Sequence, residues 1–161
     1  MRKVAEYRGL SLEDLGLVAE SDRSIDDAID DEIKKTAQQD NLVIDSRLAY
    51  HWIPDAFKVY LKLDPHIAAE RIHNHIHSVG RIGQSAGTTE EIYEKMTQRI
   101  ESEKKRYKAH YDNDYTNEKN FDLVVDTGEN SLEQVAKIIL DAYKKWNLQT
   151  RPLSTKFSTR G

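Results

Sequence analysis

A carboxylate and a guanidinium group closely follow a short apolar run near position 45 of the chain. Residues 42–44 are apolar, Asp45 comes directly after them, and Arg47 stands two residues later. An uninterrupted apolar run of this length predicts a strand over residues 41–45 that is buried on both faces, as in a parallel sheet. Ligands of such sheets bind beyond the carboxyl ends of the strands, where Asp45 can hold hydrated Mg²⁺ and Arg47 can bind a phosphate. The alternative is an ordinary surface ion pair.

Two arginines on a predicted long helix form a second candidate site for phosphate chemistry. Arg99 and Arg106 are two helical turns apart and therefore lie on nearly the same face. Phosphoryl transfer spreads negative charge over the transferred oxygens, and fixed cations stabilise that charge. The region also fits a solvated charged helix, in which residues such as Glu101 and Lys105 pair one turn apart. Spacing alone leaves both interpretations open.

Three histidines, His73, His75 and His77, suggest a metal site because His73 and His77 are one helical turn apart. A structural or catalytic zinc site needs more ligands than these two, and no acids nearby complete it, so we disfavour metal binding and expect His75 to pack partly against the core. The sequence also lacks the G-x-S-x-G, H-E-x-x-H and G-x-G-x-x-G motifs. Hydrolase, zinc-protease and dinucleotide-binding functions therefore have no support.

Strands and helices that alternate along the chain must position these side chains. Apolar patterns predict further strands over residues 57–63 and 123–125, so we expect an α/β fold with a parallel sheet. The acids between residues 26 and 32 are expected to form a solvated helix face. A first helix is expected to end at Gly9, and the predicted caps of the later helices are Ser11, Ser24, Asp64, Thr88 and Ser131.

Composition predicts one globular domain over residues 1–146. A loop that contains three of the seven glycines covers residues 78–87, and a polar, basic, flexible tail covers residues 147–161. The chain has 161 residues, no cysteine and a net charge of −4, which disfavours disulfides and general nucleic-acid binding. It has no apolar run of the roughly 20 residues that a membrane span needs. We expect a cytoplasmic protein.

The order of these motifs resembles that of archaeal-type cytidylate kinases, which are P-loop nucleoside monophosphate kinases. The resemblance covers most of residues 1–146. Its most specific parts are the run Arg99 to Tyr107 and the stretch Arg47-Leu48-Ala49, with further support from Asp64-Pro65 and from residues 122–127.

The resemblance implies a P-loop kinase-like three-layer α/β/α fold and transfer of the ATP γ-phosphoryl group to CMP or dCMP. It implies that Arg2 and Arg47 bind the acceptor nucleotide and that Asp45 positions Mg²⁺. Arg99 and Arg106 would be catalytic arginines that clamp the transferred group. Residues 1–40 would form the acceptor-binding helices, and residues 78–87 the lid. Tyr50, His51 and Trp52 are candidates for the base pocket.

The sequence differs from the family pattern in its first segment. The family begins with a strand, a G-x-x-x-x-G-K-[ST] loop and a helix, and no such motif occurs in these 161 residues. We therefore expect an N-terminally truncated form of the fold, with the first strand and the P-loop absent. The missing strand would leave a gap of unpaired backbone groups in the sheet, which favours self-association.

Two other functions remain open at this point. One is a non-catalytic nucleotide-binding or regulatory module that keeps only the acceptor half of the kinase. The other is a helical interaction domain whose basic run, residues 104–108, contacts an acidic partner.

Overall fold

The computed structural model describes residues 2–79 and 87–150 of the chain. Helices dominate it, and two short strands pair within it. The helices and strands, in chain order, are α1 Arg2–Arg8, α2 Leu12–Val18, α3 Arg23–Thr36, α4 Ala49–Trp52, β1 Val59–Lys62, α5 Pro65–Val79, α6 Thr89–Tyr111, a 3₁₀ turn Glu118–Asn120, β2 Leu123–Asp126 and α7 Leu132–Thr150.

The sheet is parallel, as the alternation of strands and helices along the chain predicts. Strand β1 pairs with β2 in a register that sets Val59 opposite Leu123 and Lys62 opposite Asp126. Beyond the strand ends, the backbone N–H and side-chain hydroxyl of Thr127 both donate to the carbonyl of Lys62, at 2.8 and 3.0 Å. The sequence prediction of an α/β fold with a parallel sheet is confirmed at this level.

The predicted strand over residues 41–45 is wrong for this structure. That segment belongs to neither strand of the two-stranded sheet formed by the described residues. The Val43 side chain is fully exposed, and Leu42 is about half exposed, at 46%. An apolar run can favour extended backbone, but a strand needs a neighbour to accept its hydrogen bonds, and no described segment pairs with this one. The predicted three-stranded, three-layer arrangement is therefore reduced here to two strands with helices around them.

Local hydrogen bonds fix the helix ends largely where the sequence predicts. Ser11 accepts from the backbone N–H of Asp14, and Thr88 and Glu91 form a complete capping box. Gly9 ends α1 with a φ of 66°, a conformation that costs glycine little. The prediction that Ser24 caps α3 is wrong, because Asp22 is the cap and accepts from the Ser24 N–H at 2.9 Å.

The first apolar core joins α1, α2 and α3. Leu15 and Ile25 are fully buried in it, and Val4, Ala5 and Ala19 complete the cluster. Side chains on α1, α2 and α3 that repeat every three or four residues bury one face of each helix. These packed helices hold the acid-bearing side of α3 in a defined orientation.

A second core joins the segment after Arg47 to helix α6. Leu48, Tyr107 and Tyr115 are buried together, and Tyr50, Trp52 and Tyr111 pack against them. Because Leu48 follows Arg47 directly, its burial fixes where the Arg47 backbone lies relative to α6. This cluster therefore positions the candidate site.

Helix α7 continues to Thr150, so the predicted tail would begin later than residue 147. Residues 151–161 and most of the predicted lid, residues 80–86, lie outside the described part of the chain. None of the described helices is both long enough and apolar enough to cross a membrane.

Candidate functional site

Glu103 is the centre of the candidate site. Its side chain is buried, at 4% exposure, on the inner face of α6. One carboxylate oxygen accepts from Arg99 Nε at 2.9 Å, and the other forms an ion pair with Arg47, whose Nε lies 2.6 Å away. The Tyr115 hydroxyl donates to the second oxygen at 3.2 Å. The structure therefore brings two of the predicted arginines together on one carboxylate.

Helix geometry explains why α6 can supply both Arg99 and Glu103. The two residues are four positions apart, one turn along the same helix face, where side chains meet directly. Arg47 reaches them from the loop after residue 45, which the burial of Leu48 holds against α6. The Arg47 and Arg99 side chains remain 37% and 53% exposed, so both can meet a ligand from solvent.

The third predicted arginine has a different partner. Arg106 Nε donates to the Asp26 carboxylate of α3 at 2.7 Å, and both side chains are buried, at 8% and 3% exposure. Burial raises the pKa of the Asp26 carboxyl, and the positive charge of Arg106 opposes that rise without cancelling it. Asp26 in turn raises the pKa of the Arg106 guanidinium against the effect of burial. This pair joins α6 to α3 and holds Arg106 in place.

A second contact between the same two helices involves Asp30. The Tyr111 hydroxyl donates to the Asp30 carboxylate at 2.7 Å, and Asp30 is buried. Burial, followed by the neighbouring Asp30 carboxylate, raises the pKa of the Tyr111 phenol well above its ordinary value. The phenol therefore stays protonated and keeps donating over the usual pH range.

The charge around Glu103 is not balanced. Two guanidinium groups, from Arg47 and Arg99, contact the single carboxylate of Glu103, whereas Arg106 pairs one to one with Asp26 and the buried Asp30 carboxylate lies close to Asp26. Burial raises the pKa of the Tyr107 phenol, and Glu103, Arg106, Asp26 and Arg47 also act on that pKa, so the phenol lies close to both ion pairs. A local excess of fixed positive charge is suited to a phosphate group.

An open cleft of about 450 Å³ lies between α3, α4 and the carboxyl end of α6. Its wall combines carboxylates and cations with aromatic rings, and the Lys34 ammonium sits 3.9 Å above the centre of the Trp52 ring. Aromatic faces can stack on a planar base, and carboxylates can accept hydrogen bonds from an exocyclic amine. The residues that line the cleft are Arg23, Asp27, Asp30, Asp31, Lys34, His51, Trp52, His110 and Tyr111.

The remaining predicted site residues are distributed less tightly. His51 and Trp52 line the cleft, whereas Tyr50 bonds to Asn113 and stacks near Phe121, away from the cleft lining. Asp45 is exposed. Arg2 begins α1, and its side chain lies outside the described part of the chain.

The described residues contain no group of three or more side chains suited to a metal ion. Mg²⁺ bound with a nucleotide takes most of its ligands from phosphate and water and needs only one or two carboxylates. The single carboxylate of Asp45 fits that requirement. Its role in binding Mg²⁺ stays a prediction.

Sequence reasoning missed the acids that organise the site. Asp26 and Asp30 were expected on a solvated face, and this prediction is wrong because both are 3% exposed. The sequence did contain a signal for these acids. Each of them directly follows an isoleucine of the buried stripe and so lies at its edge, and the two acids are about one helical turn apart. Glu103 gave no comparable signal, since charged residues surround it in the sequence.

A small parallel α/β unit with arginines gathered at a buried carboxylate is an arrangement suited to a nucleotide kinase. The family model described as "Cytidylate kinase-like family" matches residues 1–129, and the chain belongs to that family.

The relatives that match the chain include cytidylate kinases and one longer protein with a different activity. The cytidylate kinase of Methanocella arvoryzae is 36% identical over 142 residues, which are 88% of this chain and 76% of that protein. That of Methanosarcina acetivorans is 35% identical over 130 residues, 78% of this chain and 68% of that protein. An S-adenosylmethionine-dependent nucleotide dehydratase of Lacinutrix mariniflava is 30% identical over 155 residues; the match covers 94% of this chain but only 30% of that protein. No solved structure matches the chain.

Proposed function

We propose that this chain provides the acceptor-binding and arginine-bearing part of a cytidylate kinase. The reaction transfers the γ-phosphoryl group of ATP, bound with Mg²⁺, to CMP or dCMP. An oxygen of the acceptor phosphate forms the new P–O bond, and the bond between the γ-phosphorus and the β,γ-bridging oxygen breaks. The products are ADP and the cytidine diphosphate, without a covalent enzyme intermediate.

The observation that carries this proposal is the sharing of Glu103 by Arg47 and Arg99. The carboxylate accepts from Arg99 Nε and forms an ion pair with Arg47, so both guanidinium groups lie beside one oxygen pair while their side chains stay partly exposed. Two such groups, partly exposed and close together, can hold phosphate oxygens before the reaction starts. Pre-positioned cations of this kind are the main source of catalysis in phosphoryl transfer.

Arg106 is suited to the same reaction mainly through its position. Its Nε is held by Asp26, and the side chain is almost fully buried. A buried guanidinium acts on nearby phosphate charge through a medium of low dielectric, where its effect is larger than in water. We assign Arg106 to stabilising the transferred group, together with Arg99.

The cleft begins one turn along α3 and α6 from the Asp26–Arg106 pair, at Asp30 and His110, and its chemistry suits a nucleotide with an amino-bearing base. Trp52 and Tyr111 offer aromatic surface, while the carboxylates of Asp27 and Asp31 can accept from the exocyclic amine of cytosine. Uracil presents a carbonyl oxygen at that position, which would face these carboxylates unfavourably. This chemistry favours CMP over UMP.

Phosphoryl transfer also needs a donor-phosphate loop, which these 161 residues do not contain. We therefore expect the polypeptide as given to bind CMP but not to transfer phosphate by itself. A fusion that places a strand, a G-x-x-x-x-G-K-[ST] loop and a helix before residue 1 is expected to transfer phosphate. CMP binding and phosphoryl transfer can therefore be tested separately.

Calorimetry with CMP, dCMP and UMP tests the binding half. We expect saturable CMP binding that weakens by about tenfold or more in Arg47→Ala, since one charge-assisted phosphate contact is worth about 1.5–3 kcal/mol. Lys144→Ala, which removes an exposed positive charge on α7, is the matched control and should bind CMP normally. Absence of CMP binding in the wild-type chain would contradict the proposal.

A coupled assay of ADP release tests the catalytic half in the extended protein. CMP-dependent ADP release that is lost in Arg99→Ala supports the kinase. Persistent CMP binding without ADP release in the extended protein would instead support a non-catalytic nucleotide-binding module.

A further inference from the structure

Two histidines near the carboxyl end of α5 form a pair that the proposed kinase function does not use. His73 Nε2 and His77 Nε2 lie 3.0 Å apart, and the ring centroids are separated by 4.3 Å. The residues are one helical turn apart, and His77 is exposed while His73 is half-buried. His75 is exposed as well, so the prediction that it packs partly against the core is wrong. The imidazole nitrogens therefore face one another on a surface that solvent can reach.

The separation of the two nitrogens matches the bite of a chelated transition-metal ion. With metal–nitrogen bonds of about 2.0–2.1 Å, nitrogens this far apart subtend an angle of roughly 95° at the metal. That angle is close to the 90° between neighbouring ligands of a square-planar or octahedral ion and well below the ~109° of a tetrahedral zinc site. Imidazole ligands in such geometry are typical of Ni²⁺ and Cu²⁺.

We propose that His73 and His77 form a two-histidine chelating site for a divalent transition metal of the Ni²⁺ or Cu²⁺ type. Each neutral imidazole supplies the lone pair of its Nε2 atom, and water fills the other coordination positions. The described part of the chain provides no third protein ligand that would close the site. This explains why the pair fails as a structural zinc site and still suits an ion that keeps several waters.

The helix fixes the pair before any metal arrives. Main-chain hydrogen bonds hold residues 65–79 in one helix, so binding needs little rearrangement beyond the two side chains. Once the first imidazole binds, the second is present at a high effective concentration, which gives the pair its advantage over a single histidine. Metal binding should also stabilise the folded protein, because the unfolded chain does not hold the two rings together.

Titration of the untagged protein with NiCl₂ and CuCl₂, followed by calorimetry, tests the site. We expect one ion per chain at the pair and a rise in Tm when the metal is added. His73→Ala and His77→Ala should each weaken binding by about tenfold or more, because each leaves a monodentate site. His75→Ala is the matched control, because residue 75 projects from the opposite side of the same helix and should bind as wild type does.

Circular dichroism establishes that each variant stays helical, and His73→Gln repeats the test with a polar side chain of similar size. Equal loss of binding in His75→Ala and His73→Ala would overturn the proposal. Undiminished binding in His73→Gln, or no saturable metal binding in the wild-type protein, would overturn it as well.

Discussion

Asp26 of α3 and Arg106 of α6 form an ion pair of 2.7 Å in which both side chains are buried. Together with the Tyr111–Asp30 hydrogen bond, the pair links the acid-bearing helix to the arginine-bearing helix. Burial penalises both charges, so the pair is stable only while both partners are present. The orientation of Arg106, and with it the geometry of the candidate site, depends on this contact.

Removal of Arg106 should destabilise the protein because it leaves a buried carboxylate without a partner. We expect Arg106→Ala to lower the free energy of unfolding by about 3 kcal/mol, measured by urea denaturation at pH 7. The double variant Asp26→Asn with Arg106→Ala should recover part of that loss, since the unpaired charge is gone. A double variant that loses the sum of the stabilities lost in Arg106→Ala and in Asp26→Asn separately would show that the pair is not energetically coupled.

Neutralising Glu103 should disturb the site more than neutralising a neighbouring acid on the exposed side of α6. Glu103→Gln keeps the size of the side chain but leaves Arg47 and Arg99 to repel one another. We expect a loss of about 1–3 kcal/mol in stability and weaker CMP binding. Glu101→Gln is the matched control on the exposed side of α6, and its urea midpoint and CMP affinity should stay within error of wild type. Equal effects of the two substitutions would argue against a central role for Glu103.

The buried tyrosines should make the protein sensitive to alkali. Burial raises the pKa of the Tyr107, Tyr111 and Tyr115 phenols in the folded state. The unfolded chain titrates near the ordinary tyrosine value of about 10, so above that pH unfolding releases protons and stability falls as pH rises. Urea midpoints measured between pH 8 and 11 should show this decline.

Tyr111→Phe removes both the hydrogen bond of that hydroxyl to Asp30 and its titration at alkaline pH, and the two effects appear at different pH values. At pH 7 the variant should be less stable by about 1–3 kcal/mol, because the buried Asp30 loses its donor. Above pH 10 its stability should fall less steeply than that of wild type. An unchanged alkaline slope would show that Tyr111 does not contribute to the linkage.

Replacement of Trp52 tests whether the cleft binds the base of CMP. Trp52→Ala should weaken CMP binding, because base–aromatic stacking is worth about 1–3 kcal/mol. Trp146→Ala provides the control: it removes an indole on α7 that packs against Phe57 and Tyr143 outside the cleft lining. The two variants are compared by CMP calorimetry at a temperature where both are folded. Loss of affinity in Trp146→Ala alone would place the base elsewhere.

The exposed apolar segment before Asp45 should promote association between chains. Val43→Lys replaces a fully exposed valine, so we expect a change in stability within about 0.5 kcal/mol. The added charge should reduce any concentration-dependent self-association seen by sedimentation velocity. If wild type and variant associate equally, the segment is not the contact.

The sequence by itself determined the local structure of this protein. Capping side chains such as Ser11, Asp64 and Thr88 act within three residues of themselves, so the helix starts they specify need no distant contact. The sequence also predicted both strands, β1 from an alternating pattern and β2 from an apolar run. These predictions hold because the two strands pair with each other. The cytidylate kinase-like resemblance followed from the order of these signals.

Only the tertiary structure decided which charges are buried and which segments pair. The acids of α3 look alike in sequence, yet Asp26 and Asp30 are covered because α6 brings Arg106 and Tyr111 to them from about 80 residues away. Glu103 gains its two arginines in the same way. Residues 41–45 have the composition of a strand, yet they pair with no segment within residues 2–79 and 87–150. Hydrogen bonds between strands depend on a neighbour that the segment cannot specify alone.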